Sequence, residues 1–215
     1  MNFLNIPFVS QEANTHEKLT LHTIDHEPWS TEKNISCTAA FSISHFDEGI
    51  HLKFSATEPF LRVKTRRLNG EVHKDNCVEF FIAFDQDHSY YNFEFNCLGS
   101  VKGAYGKSRV HRKFLPSQLL KTVGDSICIS MDNLSKDRSI KWDISIILPV
   151  GVFCHHEKKS LSEETCLVNF AKCGDSLPEP HFLSWVPIVS EKPDFHQPQA
   201  FGRVKFEPKP ALTQA

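Results

Sequence analysis

Several signatures of common protein classes are missing from this chain. No stretch of its 215 residues approaches the ~20 consecutive apolar residues of a membrane-spanning helix. A G-x-S-x-G elbow, a phosphate-binding loop and a dinucleotide fingerprint are all missing, so no nucleophile or nucleotide chemistry is signalled. The formal net charge is only -2, which argues against a general polyanion binder and so against nucleic acid as the partner. The start, MNFLNIPFVSQEANTHEK, has neither a basic n-region nor a sustained apolar h-region. The chain as it stands is therefore expected in the cytoplasm, and a different start or a mature form would put it in the periplasm or outside the cell. Seven cysteines (Cys37, Cys77, Cys97, Cys128, Cys154, Cys166 and Cys173) show no C-x-x-C pair of the kind zinc sites use. They are expected to be buried free thiols. His155-His156 beside Cys154 and Cys166 is not read as a metal site, because twelve scattered histidines produce such neighbours by chance. There is no long amphipathic helix, no repeat and no linker, which leaves one domain over residues 1–215 with its core at about 28–206.

What is abundant is phenylalanine, eighteen residues against three Tyr and three Trp, mostly in alternating runs. Asn76 to Gly99 is the organising stretch. Val78, Phe80, Ile82 and Phe84 alternate with Cys77, Glu79, Phe81 and Ala83; beyond a polar turn, Tyr91, Phe93, Phe95 and Cys97 alternate with Asn92, Glu94 and Asn96. Both halves read as strands of a hairpin with one face in the core. The period of two then gathers Glu79, Phe81, Asn92, Glu94 and Asn96 on the opposite face. That face offers carboxylates, amides and a ring on rigid backbone, which makes it the candidate binding surface.

The same pattern recurs elsewhere. Cys37 to His45 and Gly49 to Glu58 form a second hairpin; Ile127 to Met131 and Ile140 to Leu148 form a third; Cys166 to Lys172 and Phe201 to Phe206 are further strands. Short strands at even spacing predict an all-β antiparallel sandwich, immunoglobulin-like or jelly-roll in type. Trp142 and Trp185 belong to its core. Residues 177–198 contain too many prolines for a central strand and predict a long loop over the body. Two basic stretches, Arg62 to Lys74 and Lys102 to Lys113, read first as solvated loops and second as a rim for an anionic ligand.

Asp75-Asn76-Cys77-Val78-Glu79-Phe80-Phe81-Ile82, Tyr90-Tyr91-Asn92-Phe93-Glu94-Phe95-Asn96-Cys97-Leu98-Gly99, Trp142-Asp143-Ile144 and Phe195-His196-Gln197-Pro198-Gln199-Ala200-Phe201-Gly202 follow one another in the order of carbohydrate-binding module family 9. The chain resembles that family over most of residues 28–206, and most closely its single-domain members from gut Bacteroides-type genomes. The resemblance implies a β-sandwich that holds the end of a sugar chain between two aromatic side chains above polar residues. The polar positions match Glu79, Glu94 and Asn96. The clamp positions, tryptophans in sugar-binding members, fall at His73 and at Phe195 or His196. Some members carry a structural calcium, for which Asp85, Asp87 and Asp47 are the candidates here, although no calcium loop is recognisable.

The expectation is therefore non-catalytic binding of a mono- or oligosaccharide in a shallow site on the sheet face, with the proline-rich loop as one wall. No cofactor is required, calcium is possible as a structural ion, and the oligomeric state is left open. One alternative is a glycosidase using Glu79 and Glu94 as its two carboxylates. It ranks lower because nothing in the sequence signals a raised pKa or a deep cleft. Another is a protein-interaction domain that has lost its sugar site.

Overall fold

The computed structural model describes residues 3–10, 19–29, 37–84, 87–131 and 139–210. Its strands form two sheets. The larger runs in the order β1 (Phe3–Ile6), β13 (Gly202–Phe206), β11 (Thr165–Cys173), β5 (Cys77–Ala83), β6 (Tyr90–Asn96), β7 (Val101–Gly106) and β8 (Lys113–Phe114), with β12 (Phe182–Ser184) also paired to β11. The smaller runs β2 (His22–Thr23), β3 (Thr38–Phe46), β4 (Gly49–Glu58), β10 (Ile140–Pro149) and β9 (Gly124–Met131). Pairing is antiparallel except between the first and last strands, β1 and β13. A single turn of helix, α1 (Ser117–Leu120), lies between β8 and β9.

The alternation read from Asn76 to Gly99 is realised in register. Val78, Phe80 and Ile82 of β5 stand opposite Phe95, Phe93 and Tyr91 of β6, and all six are buried between the sheets. The facing layer comes from β3, β4 and β10. Phe41 stacks on Phe170 of β11 with ring centroids 3.5 Å apart, and Trp185 meets both rings edge-on. Aromatic rings bury large apolar areas each, and edge-to-face pairs add a further increment, so this cluster fixes how the two sheets sit on each other.

Four features differ from the sequence expectation. β9 alternates apolar and polar residues yet is an exposed edge strand, with Ile127 and Ile129 each 37% exposed. Among the described strands it has a neighbour on one side only. Of the seven free cysteines, Cys128 and Cys154 are exposed rather than buried. The proline-rich segment is mostly irregular but contributes β12, three residues paired to β11. Most consequentially, the outer face of β5 and β6 is not solvated: every residue of both strands is buried. Phe195, His196 and Phe201 cover it. Phe201 and His196 pack on Phe81, and the Tyr90 hydroxyl pairs with His196 Nδ1 at 3.0 Å.

Between the sheets lies a buried ionic cluster. Lys172 of β11 faces the core and is wholly buried. Its ammonium donates to Glu58 Oε2 of β4 at 3.0 Å and to His181 Nε2 at 2.7 Å, while Trp142 Nε1 of β10 donates to Glu58 Oε1 at 2.6 Å. Burial, and then the Lys172 charge, pull the His181 pKa from 6.5 down to about 4. The unfolded chain protonates this imidazole near 6.5 and the folded chain only near 4. Stability is thus fully present above that upper value and is lost as pH falls through the interval, by on the order of 3 kcal/mol for a shift of this size. Urea unfolding of the wild type and His181→Gln at pH 7 and pH 4.5 checks this. The variant is expected to have the shallower loss on acidification, and parallel losses would exclude the assignment.

Candidate functional site

The carboxylates Glu79 and Glu94 are direct cross-strand partners, and strand geometry sends both to the outer face. Lys102 of β7 stands opposite Glu94 on the other side and donates to Glu94 Oε1 at 2.8 Å. Arg112 donates to Asn92 Oδ1 at 2.8 Å, and Asn92 Nδ2 in turn donates to Glu79 Oε2 at 3.1 Å. The Cys173 thiol reaches Glu79 Oε1 at 3.4 Å. Both oxygens of Glu79 are therefore engaged. Glu94 Oε2 is not. It is buried and has no hydrogen-bond donor among the described residues; His73 Nδ1 lies at 3.6 Å, too long for a hydrogen bond.

This face is the floor of a cavity of about 140 Å³, lined also by His73, Phe182, Phe195 and His196. The electrostatics are uneven. Burial, and then the neighbouring Glu94 charge, push the Glu79 carboxyl up to about 7. Burial would raise Glu94 as well, but the contacts of His73 and Lys102 outweigh it and hold Glu94 at about 2. His73 is raised in return, chiefly by Glu94. His196 is pushed down to about 3, first by burial and then by Arg112, and so is neutral. The site is a half-open recess on the sheet face, and it contains a carboxyl with a raised pKa, which the sequence did not signal.

Of the residues singled out in the sequence, His73, Glu79, Glu94, Phe195 and His196 share this cavity. Asn96 does not line it. Its Nδ2 donates to the Thr65 carbonyl at 2.8 Å and to Asp75 Oδ2 at 3.2 Å, and its Oδ1 accepts from the amides of Leu98 and Ser100. With every polar atom used, Asn96 ties the charged loop to the β6–β7 turn. Asn96→Ala is expected to cost about 1–3 kcal/mol in urea unfolding by leaving buried partners unsatisfied, while ligand affinity stays unchanged; an affinity loss without a stability loss would return Asn96 to the site.

The basic stretches separate. Lys102, Arg109 and Arg112 contribute to the cavity wall, whereas Arg62, Lys64, Arg66, Arg67 and Lys74 line a different groove. Asp175, Asp194 and Cys173 also line the cavity and were not picked out. Lys102 was named only as part of a basic stretch, although the tight β6–β7 turn aligns it with Glu94. The calcium candidates are engaged elsewhere: Asp47 pairs with Lys209 at 2.6 Å, and Asp87 with Lys107 at 2.8 Å. Neither belongs to a cluster of three or more His, Cys, Asp or Glu donors among the described residues. Asp85 lies outside the described residues. No helix among the described residues is long and apolar enough to cross a membrane.

A sandwich that presents carboxylates on rigid strands beneath aromatic walls is the architecture of a carbohydrate-recognition module. The chain belongs to carbohydrate-binding family 9, whose family model matches residues 9–206, and its function is accordingly non-catalytic carbohydrate binding. A Bacteroides uniformis protein described as a candidate carbohydrate-binding protein is 31% identical, with 96% of this chain and 99% of that one covered at a TM-score of 0.83. A family 9 module from Caldicellulosiruptor kristjanssonii, solved in complex with cellotriose, has the same fold at 12% identity and a TM-score of 0.60, with 99% and 97% covered. The module from that organism in complex with glucose aligns at 10% identity and a TM-score of 0.59, with 99% and 100% covered. No curated protein matches the chain.

Proposed function

We propose that the cavity binds one sugar residue, free or at the end of an oligosaccharide, and that Glu94 is the principal polar contact. The observation that carries this is Glu94 Oε2, a buried and ionised acceptor without a donor. Leaving such an oxygen unsatisfied costs free energy, and a hydroxyl entering the cavity supplies the donor. Lys102 holds the other oxygen, so the carboxylate is oriented before the ligand arrives. Phe195, braced edge-on by Trp29 with centroids 5.3 Å apart, offers an apolar face to the ring, and His73 lines the same cavity. A volume of about 140 Å³ is well below the ~300–1,000 Å³ of pockets for drug-sized ligands. It suits a single ring rather than the middle of a chain.

Recognition is favoured over glycoside hydrolysis by how the carboxylates are employed. Both oxygens of Glu79 are bonded to Asn92 and Cys173, and Glu94 Oε1 to Lys102. A general acid or nucleophile needs a free oxygen beside the reacting bond, and this pair offers one where it would need two.

Thermal unfolding of the purified protein against neutral and acidic mono- and oligosaccharides, with and without calcium, tests the reading. A ligand that binds only the folded state raises the midpoint by mass action. A rise with one class of sugar, without turnover of chromogenic glycosides, is the expected result. No rise with any sugar at millimolar concentration would sink the proposal and direct the search for partners toward proteins.

A further inference from the structure

The floor of the cavity holds a second, chemically different cluster. Cys77 and Glu79 are two residues apart on β5 and so share the outer face, and Cys173 of β11 stands directly opposite Cys77 in the ladder. Their Cys Sγ and carboxylate oxygen atoms all lie within 4.8 Å of one another, with Cys173 Sγ 3.4 Å from Glu79 Oε1. All three residues are buried, yet Cys173 and Glu79 face the cavity.

We propose that Cys77, Cys173 and Glu79 form a binding site for a soft divalent cation of the zinc type, with a fourth coordination position open to the cavity. Two sulfurs and one carboxylate oxygen are a donor set that zinc accepts, with Zn–S bonds of ~2.3 Å and Zn–O bonds of ~2.0–2.2 Å. Those bonds place tetrahedral ligand atoms roughly 3.5–3.8 Å apart, close to the observed 3.4 Å and inside the 4.8 Å limit that contains the whole cluster. Small rotations of the side chains close the remainder. The carboxylate is already oriented by outer contacts, as metal ligands usually are: Asn92 holds Glu79 Oε2 and is itself held by Arg112, which leaves Oε1 turned toward the thiols. On binding, each thiol, and Glu79 where it is protonated, gives its proton to solvent, and the ligands bind as two thiolates and a carboxylate. Water or a ligand oxygen completes the shell from the cavity side.

A comparable buried trio, Cys37, Glu58 and His181, is excluded by its own occupant. The Lys172 ammonium bonds to both Glu58 and His181 and already fills the cation position. Among the described residues no ammonium plays that role between Cys77, Cys173 and Glu79, where the thiols bond to Val78 O, His73 O, Glu79 and each other.

The test is titration of the reduced, chelator-stripped full-length protein with cobalt(II) alone. One equivalent is expected to produce thiolate-to-cobalt charge-transfer absorption and the visible bands of a tetrahedral site, both removed by zinc. Cys173→Ser and Cys77→Ser should each abolish the charge-transfer absorption at one equivalent, and Cys128→Ser, which changes an exposed thiol, should leave it intact. Should a core cysteine variant fail to fold, Asn92→Ala keeps all three ligands and is expected to weaken zinc binding about 10–100-fold. Cobalt spectra without charge transfer, spectra indifferent to Cys77→Ser and Cys173→Ser, or a Cys77–Cys173 disulfide in the freshly purified protein would each overturn the proposal. The test involves no sugar, so its failure leaves the carbohydrate reading untouched.

Discussion

Lys172→Met is expected to destabilise the protein by about 3–5 kcal/mol, the usual cost of removing one partner from a buried ion pair. The substitution preserves the length and apolar stem of the side chain, so little packing is lost. What remains is Glu58, 1% exposed, with its charge no longer compensated. Burial alone would depress the Lys172 pKa, but Glu58 outweighs it and keeps the ammonium charged. For a domain of this size the loss corresponds to a fall in Tm of roughly 10 °C or more. The companion change Glu58→Gln supplies the discriminating result. A neutral amide still accepts from Trp142 Nε1 and leaves no buried charge, so Lys172→Met/Glu58→Gln should recover most of the loss, since apolar or neutral replacement of a whole buried pair is often near neutral. Differential scanning calorimetry of the four proteins gives the coupling directly. Additive effects would mean that the pair does not hold the sheets together electrostatically.

The second large effect concerns the ligand. Glu94→Gln keeps the shape of the side chain and an acceptor for Lys102, but replaces the ionised oxygen left without a donor by an amide group. Hydrogen bonds to charged groups contribute ~1.5–3 kcal/mol, so sugar affinity should fall roughly 10–150-fold. Titration calorimetry below the unfolding range reads this separately from any change in stability. Lys102, His73 and Arg112 all lie within 4 Å of the Glu94 carboxylate, so a modest loss of Tm is expected alongside. An unaltered Kd with that loss of Tm would make Glu94 a purely structural counter-ion.

Strand alternation carried the fold a long way. The period of two in Asn76 to Gly99 separated the core face from the site face correctly because both strands of that hairpin sit in mid-sheet, where each face has one fate. It could not disclose what lay above the site face. The cover is supplied by Phe195, His196 and Phe201, about a hundred residues later, and local pattern carries no information about such a contact. Hence a shallow surface was expected where the structure has a cavity. The role of Lys172 was illegible for the same reason. Only its partner Glu58, 114 residues away, makes this lysine part of the core. Asn96 was placed on the correct face, but its fate depended on Thr65 and Asp75, which arrive from an irregular loop. The zinc-type cluster was hidden similarly: Cys77-x-Glu79 is visible in sequence, while Cys173 joins it only through the β5–β11 ladder.

The most direct measurement is a crystal structure of the protein soaked with the sugar that gives the largest thermal shift. The expected result is one sugar residue in the cavity, a hydroxyl within hydrogen-bond distance of Glu94 Oε2 and the ring against Phe195. Density for the sugar anywhere else, such as the basic groove beside Arg66 and Arg67, with the cavity unchanged, would contradict the assignment.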